Sequence, residues 1–289
     1  MLETTLCPVA AAADYIENHL QEKLNLETIA QAAHYSKYHL HRLFADTLGL
    51  TVHDYVKRRR LTEAARQLAG SSRPVLEIAL TAGYGSQQSF ADAFKAMYKV
   101  SPGRYRAEKA FYPLQLGYAL WDNPKVSGEE RDWQRNIVFA KEEDIPAWLA
   151  LLPLIVDGFP CLNEAHYRKE LQRAVRARQA LILKDVSAHR AIGVMVFRET
   201  AGSIDFLGIH PRYRKKGIAK AFCQKALLEL ASTPAVTVTT FREGDKADTG
   251  YRKMFQNLGF VKGELLEEFG YPTQRLILYQ EQGEGRRHE

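Results

Sequence analysis

The stretch YSKYHLHRLFADTLGL at residues 35–50 and the stretch YGSQQSFADAFKAMYKV at 84–100 carry one pattern twice. Ala32 falls on Ala82, Ser36 on Ser86, Leu40 on Phe90, Phe44 on Phe94, Thr51 on Ser101 and Tyr55 on Tyr105. A self-similar segment at an offset of about 50 residues is a structural repeat, and it constrains the architecture more than any single element does. In each copy a serine precedes an amphipathic run, where its hydroxyl can accept from the backbone N–H groups that open a helix. Leu40, Leu43, Phe44 and Leu48 in one copy, and Phe90, Ala93, Phe94 and Met97 in the other, recur at the three-and-four spacing of one helix face. Shorter apolar segments stand before each run: Leu26, Ile29, Ala30 and Ala33, then Leu76, Ala79 and Leu80, with Gly83 at a turn. Two helix-turn-helix units are therefore expected.

Working outward, residues 8–22 read as a leading amphipathic helix. Thr51 caps a long helix through about Ala69, which Gly70-Ser71-Ser72-Arg73-Pro74 ends, and Ser101-Pro102 opens a last short helix with proline in its favoured first position. The helix of 51–69 spans about 30 Å, close to one DNA turn of about 34 Å, so both units can face the same side of a duplex. The period changes in the second half. Ile137–Phe139, Ala180–Leu183, Ala191–Phe197, Ser203–Ile209, Ala235–Thr240 and Leu276–Tyr279 read as strands, and helices fall at 144–152, 165–178, 217–231 and 249–258. Strands interleaved with helices give a mixed α/β or α+β sheet. Residues 112–135, with Pro113, Gly117, Asn123-Pro124 and Ser127-Gly128, read as a linker, part of which is apolar enough to pack on a domain. The expected fold is thus two domains: an all-α double helix-turn-helix bundle over 1–111, and a mixed sheet domain over 136–289.

The totals agree with two domains. The chain has 289 residues, 46% of them apolar, and a formal charge of +6. Residues 1–112 hold 14 Lys and Arg against 11 Asp and Glu, and residues 113–289 hold 26 against 23, so net charge does not mark the half that meets nucleic acid. The run Lys57-Arg58-Arg59-Arg60 marks it better, with a solvated helix face as the rival reading. Cys7, Cys161 and Cys223 have no zinc or disulfide spacing, which points to a reducing cytosol. His34, His39, His41 and His53 do not place three ligands on one face, so no metal is expected. The first 20 residues lack the basic start of a secretory leader, and no apolar run approaches the roughly 18 residues of a membrane helix. A cytoplasmic protein without a membrane partner is expected.

A reading helix offers its first outward-facing turns to base edges. In the first copy that set is Lys37, Tyr38, His41 and Arg42, and Arg42 suits guanine at about 1–3 kcal/mol of discrimination. In the second it is Gln87 and Gln88, which suit adenine, with Ala91 and Asp92. A carboxylate at Asp92 is repelled by phosphates unless it accepts from cytosine. In the second half, Ser203–Lys220 forms a strand, a turn and a helix start. Gly217 lets a ligand approach the backbone, and the free N–H groups of the following helix make an anion site among Arg212, Arg214, Lys215, Lys216 and Lys220. A solvated helix N-terminus is the rival.

The order of residues adds more. YSKYHLHRLF at 35–44, Tyr55 through Leu61, Ile78-Ala79, Gly83-Tyr84, SQQSF at 86–90, Phe94-Lys95, Ser101-Pro102 and Tyr105-Arg106 resemble the AraC/XylS DNA-binding module, most of all its MarA/Rob branch. That resemblance implies monomeric binding to double-stranded DNA, with Tyr38, His41 and Arg42 reading from one head and Gln87 and Gln88 from the other. Asp92 departs from the arginine of that branch. Arg214-x-x-Gly217-x-Ala219 after a strand, YRKMFQNLGF at 251–260, FREGD at 241–245 and EFGYPTQ at 268–274 resemble the GNAT N-acetyltransferases. This second resemblance implies acetyl-CoA as acyl donor and an amine of unspecified identity as acceptor. Leu207, Gly208 and Ile209 hold the pantetheine arm, and Arg214, Lys215, Lys216, Gly217, Ile218 and Ala219 cradle the pyrophosphate. Asp205 is the candidate base, its rival reading being a salt-bridged strand residue. Phe255 stands where the family has its tyrosine acid, and Tyr251 is the candidate substitute. A regulator with a working acetyltransferase, a regulator that senses acyl-CoA, and an enzyme whose helical module no longer reads DNA all remain open at this point.

Overall fold

The computed structural model describes residues 2–118, 133–155, 164–185, 190–248, 250–268 and 271–280. Seven helices come first: α1 (Leu2–Asn18), α2 (Leu26–Ala32), α3 (Lys37–Leu48), α4 (Val52–Gly70), α5 (Val75–Thr81), α6 (Gln87–Tyr98) and α7 (Pro102–Glu108). The expected serine and threonine caps start them. Ser36 accepts from the His39 N–H, Thr51 from Asp54, Ser86 from Ser89 and Ser101 from Arg104, while Asn25 opens α2 with a capping box to Thr28. Helices α3 and α6 end alike, in a left-handed residue. Gly49 closes α3 at φ 77, and Lys99 closes α6 at φ 64, where a glycine is the easier choice.

Two helical cores share α4. Val52 and Tyr55 from its first half join Ile16, Ile29, Leu40 and Phe44; Leu61, Ala65 and Leu68 from its second half join Ile78, Phe90, Phe94, Tyr98 and Tyr105. Burying one such apolar side chain contributes about 1.5–3 kcal/mol. Phe94 also stacks on Tyr98 at 4.3 Å and meets Tyr105 edge-on at 5.3 Å. The segment 112–118, read from sequence as the start of a linker, lies along α4. Thr62 Oγ1 accepts from the N–H groups of Leu114 and Gln115, both at 3.1 Å, and the Tyr55 hydroxyl accepts from Tyr118 N–H at 3.1 Å.

The remaining residues form α8 (Trp133–Asn136), β1 (Val138–Phe139), α9 (Ile145–Ile155), α10 (Glu164–Arg176), β2 (Ala180–Asp185), β3 (Arg190–Arg198), β4 (Ser203–Ile209), α11 (Ile218–Glu229), β5 (Ala235–Phe241), α12 (Tyr251–Asn257), β6 (Val261–Glu268) and β7 (Tyr271–Tyr279). The sheet order is β1-β2-β3-β4-β5-β7-β6. Every pair is antiparallel except β4 with β5. One apolar layer gathers Phe222 and Cys223 of α11 and Phe255 of α12 against Met195 and Ile204; the other gathers Trp148 and Leu152 of α9 and Leu171 of α10 against Ile182 and Val194. β6 and the first half of β7 were not foreseen. The segment VKGELLEE has its residues exposed or half-exposed at the sheet edge, so it shows no apolar alternation, and β7 begins with the polar YPTQR.

Candidate nucleic-acid interface and sheet cleft

The packing of α3 sorts its residues by face. Leu40, Phe44 and Leu48 are buried, which turns Tyr38, His41 and Arg42 outward; all three are exposed, Tyr38 to 79%. Lys37, also an expected reader, forms an ion pair with Glu27 of α2 at 3.1 Å and lies 5.4 Å from the Tyr38 ring centroid. In α6 the burial of Phe90, Phe94 and Met97 leaves Gln87 and Gln88 exposed. Asp92 is one turn on from Gln88 and accepts from its amide nitrogen at 3.0 Å. The carboxylate is thus partly engaged within its own helix, and it fixes which face of the Gln88 amide is presented.

The arginine run is neither a solvated face nor an open phosphate contact. Arg58 is 2% and Arg59 6% exposed. Arg58 donates to the carbonyls of Lys246 and Ala247, at 3.2 and 2.6 Å, and so ties α4 to the sheet half. Arg59 meets Glu17 of α1 at 2.8 Å, Glu63 at 3.0 Å and the Gln115 carbonyl at 3.0 Å. Burial opposes its charge, but the hydrogen bond and charge of Glu17 more than offset this and raise the guanidinium further above its ordinary value. Arg60 donates to the Leu20 and Glu22 carbonyls at 2.8 and 2.5 Å and lies over Gly83, where an added Cβ would meet its Nη1 at 2.8 Å. Gly83 is at φ 83, a left-handed conformation that favours glycine at this turn of the second unit. The run is a scaffold that joins the two heads and the sheet. Its partners are distant in sequence, so charge clustering marked the helical half without showing what the cations meet.

Sequence reading also missed a polar cluster between the halves. The Asp245 carboxylate, its side chain 3% exposed, takes Lys99 Nζ at 2.8 Å, the Tyr271 hydroxyl at 3.1 Å and the Ala247 N–H at 2.9 Å. Tyr271 and Ala247 join the core of the second head. Burial, then the Asp245 charge, raises the Tyr271 hydroxyl well above its usual value. FREGD contains Asp245, but nothing local announces its partners.

β4 and β5 pair only at Ser203–Thr237 and Ile204–Val238. Beyond these the strands part, and from Asp205 onward the β5-side edge of β4 has no strand partner. The gap is a cleft of about 880 Å³, lined among others by Asp205, Leu207, Thr239, Tyr251, Phe255 and Tyr271. Asp205 is engaged by Arg198 and by Ser203 Oγ at 2.6 Å. Phe255 is 4% exposed and packs on Phe260 at 5.5 Å. Gly208 is spent on packing, since an added Cβ would meet Ile155 Cδ1 at 2.2 Å, and Ile209 is buried. Gly217, at φ 78, opens α11 with no side-chain cap and with nothing within 4 Å of an added Cβ. Ile218 is buried behind it and Ala219 half-buried. Arg214, Lys215 and Lys216 are not grouped over it. Lys215 donates to the Ala45 carbonyl of α3 at 2.9 Å, Arg214 reaches the Leu48 carbonyl at 3.4 Å, and Lys216 Nζ lies 5.3 Å from the Tyr213 ring centroid.

Among the described residues no helix is long and apolar enough to cross a membrane. A family model described as a helix-turn-helix domain matches residues 29–108. The chain is 42% identical over 98 residues to the HTH-type transcriptional activator AarP of Providencia stuartii, across 34% of this chain and 73% of AarP. It is 38% identical over 109 residues to the transcriptional regulator Rob of Salmonella typhimurium, across 36% of this chain and 38% of Rob. A crystal structure of an AraC-type regulator from Chromobacterium violaceum is similar at 27% identity and TM-score 0.35, over 36% of this chain and 92% of that one. With two capped reading helices on one α4 brace and a relative matched over most of its length, the chain belongs to the AraC-type helix-turn-helix family of transcription regulators.

Proposed function

We propose that this protein is a transcription regulator that grips double-stranded DNA with both heads and holds acetyl-CoA in the cleft of a GNAT-like sheet half. The observation that carries the DNA reading is the sorting of α3 and α6: apolar faces are buried, while Tyr38, His41, Arg42, Gln87 and Gln88 stand exposed on the opening turns. Such groups suit base edges in the major groove. The observation that carries the coenzyme reading is the parting of β4 from β5 after two pairs, next to a helix whose first turn opens on an uncapped glycine. The unpaired β4 edge suits the amides of a pantetheine arm, and the amides opening α11 suit a pyrophosphate. Acetyl-CoA supplies an activated thioester, and Asp205 and Tyr251 both line the cleft where an amine would meet it.

Two observations favour sensing over transfer. Phe255 offers no proton to a leaving thiolate, and Asp205 is occupied by Arg198 and Ser203. A thiol-release assay with a panel of amines separates the two readings: release faster than buffer with any amine establishes transfer, whereas no release, together with coenzyme binding that changes DNA affinity, establishes sensing. By calorimetry, Gly217→Glu is expected to abolish acetyl-CoA binding, because it places a side chain at φ 78 and a negative charge at the anion seat. Unchanged affinity removes the turn from the site. DNA affinity is expected to fall steeply with salt and to depend on sequence; a flat salt response refutes the two-headed grip.

A further inference from the structure

We infer that the turn at 211–217 is a latch on the first reading head, and that a diphosphate-bearing coenzyme opens it. The inference rests on the coenzyme seat proposed above. Lys215 Nζ donates to the Ala45 carbonyl at 2.9 Å and lies 3.9 Å from the Asp46 carboxylate, while Arg214 Nη1 reaches the Leu48 carbonyl at 3.4 Å. All three acceptors belong to the last turn of α3, the end of a helix that carries partial negative charge and attracts cations. Lys215 holds this position at φ 60, a left-handed conformation unfavourable for a lysine.

The same two residues lie three and two positions before Gly217 and the opening amides of α11. A diphosphate bound there competes for their side chains, since its oxygens carry more negative charge than the Ala45 and Leu48 carbonyls and the Asp46 carboxylate lies 3.9 Å from Lys215 Nζ, beyond hydrogen-bond distance. Turning these two side chains toward the diphosphate draws them off the α3 terminus, so seating the coenzyme frees the first head. The second head keeps its own contacts, Lys99 and Tyr271 on Asp245, which do not involve the turn. Unlatched, the first head is held to the second chiefly through α4, and the ordering cost of a two-headed grip rises. The added phosphate charge beside α3 acts in the same direction, by repelling DNA. Coenzyme therefore weakens DNA binding, and DNA weakens coenzyme binding by the same factor.

The test is anisotropy on a duplex selected with the full-length protein, with and without saturating coenzyme A, alongside calorimetry of coenzyme A alone. DNA affinity is expected to fall about tenfold with coenzyme, within the usual range of such couplings. Lys215→Ala, at a side chain 58% exposed, is expected to weaken DNA binding several-fold in the absence of coenzyme and to shrink the coenzyme effect, with the thermal melt as the check on folding. Coenzyme binding that leaves DNA affinity unchanged or tightens it overturns the latch and leaves the seat standing. No heat with coenzyme A overturns both. Wild-type DNA affinity in Lys215→Ala without coenzyme overturns the latch whatever the coenzyme does.

Discussion

The first head turns Tyr38, His41 and Arg42 to solvent; the second turns out Gln87 and Gln88, with Asp92 holding the Gln88 amide at 3.0 Å. Their far ends differ in the opposite sense. The first head presents backbone carbonyls to cations of the sheet half, whereas the second sends its own cation, Lys99, into a carboxylate there. Behind these surfaces the interiors match position for position: Leu40 with Phe90, Phe44 with Phe94, Tyr55 with Tyr105, all fully buried. A duplicated fold preserves what the core requires, while outward residues are free to take on different chemistry.

The comparison breaks most sharply at the interior. Phe44→Ala and Phe94→Ala are each expected to cost about 3–5 kcal/mol in denaturant unfolding, because each empties an aromatic site of the same design. A difference above about 2 kcal/mol would mean that the two cores are not equivalent. The surface difference sharpens next. Arg42→Ala is expected to lose about 1–3 kcal/mol of discrimination at one base pair, whereas Asp92→Ala is expected to leave affinity near wild type and to alter preference at the Gln88 position. Equal losses of discrimination in a randomised-site selection would erase the proposed asymmetry. The smallest effect is alkaline. Burial raises the hydroxyls of Tyr55 in the first head, Tyr98 in the second and Tyr271 at the junction. The unfolded chain ionises these groups near the ordinary value of about 10 while the folded chain holds their protons, so stability is intact below pH 10 and falls as pH rises above it. Thermal melts from pH 8 to 11 measure this; Tyr271→Phe should flatten the slope, and an unchanged slope would show that its hydroxyl is not the group responsible.

Much of the helical half was legible because its signals are local. A capping serine and its acceptor lie three residues apart, and the repeat states each signal twice. Strand positions through β5 were legible for the same reason, from short apolar runs. β6 was not, since an exposed edge strand imposes no periodicity. Gly217 announced its helix start, but the destination of Arg214 and Lys215 depends on α3, some 170 residues earlier in the chain. Arg58 and Arg59 marked the right half but not their own partners, for a related reason: a cation's role is set by its partner, and Glu17, Lys246 and Ala247 are far away in sequence.

The Arg58 guanidinium has a practical corollary for anyone dissecting this molecule. A fragment ending at residue 118 would leave that group without its Lys246 and Ala247 carbonyls and strip Tyr271 from an aromatic floor. Severed in this way, the bundle would carry a raw, sticky scar, and its behaviour in solution would misrepresent the intact regulator.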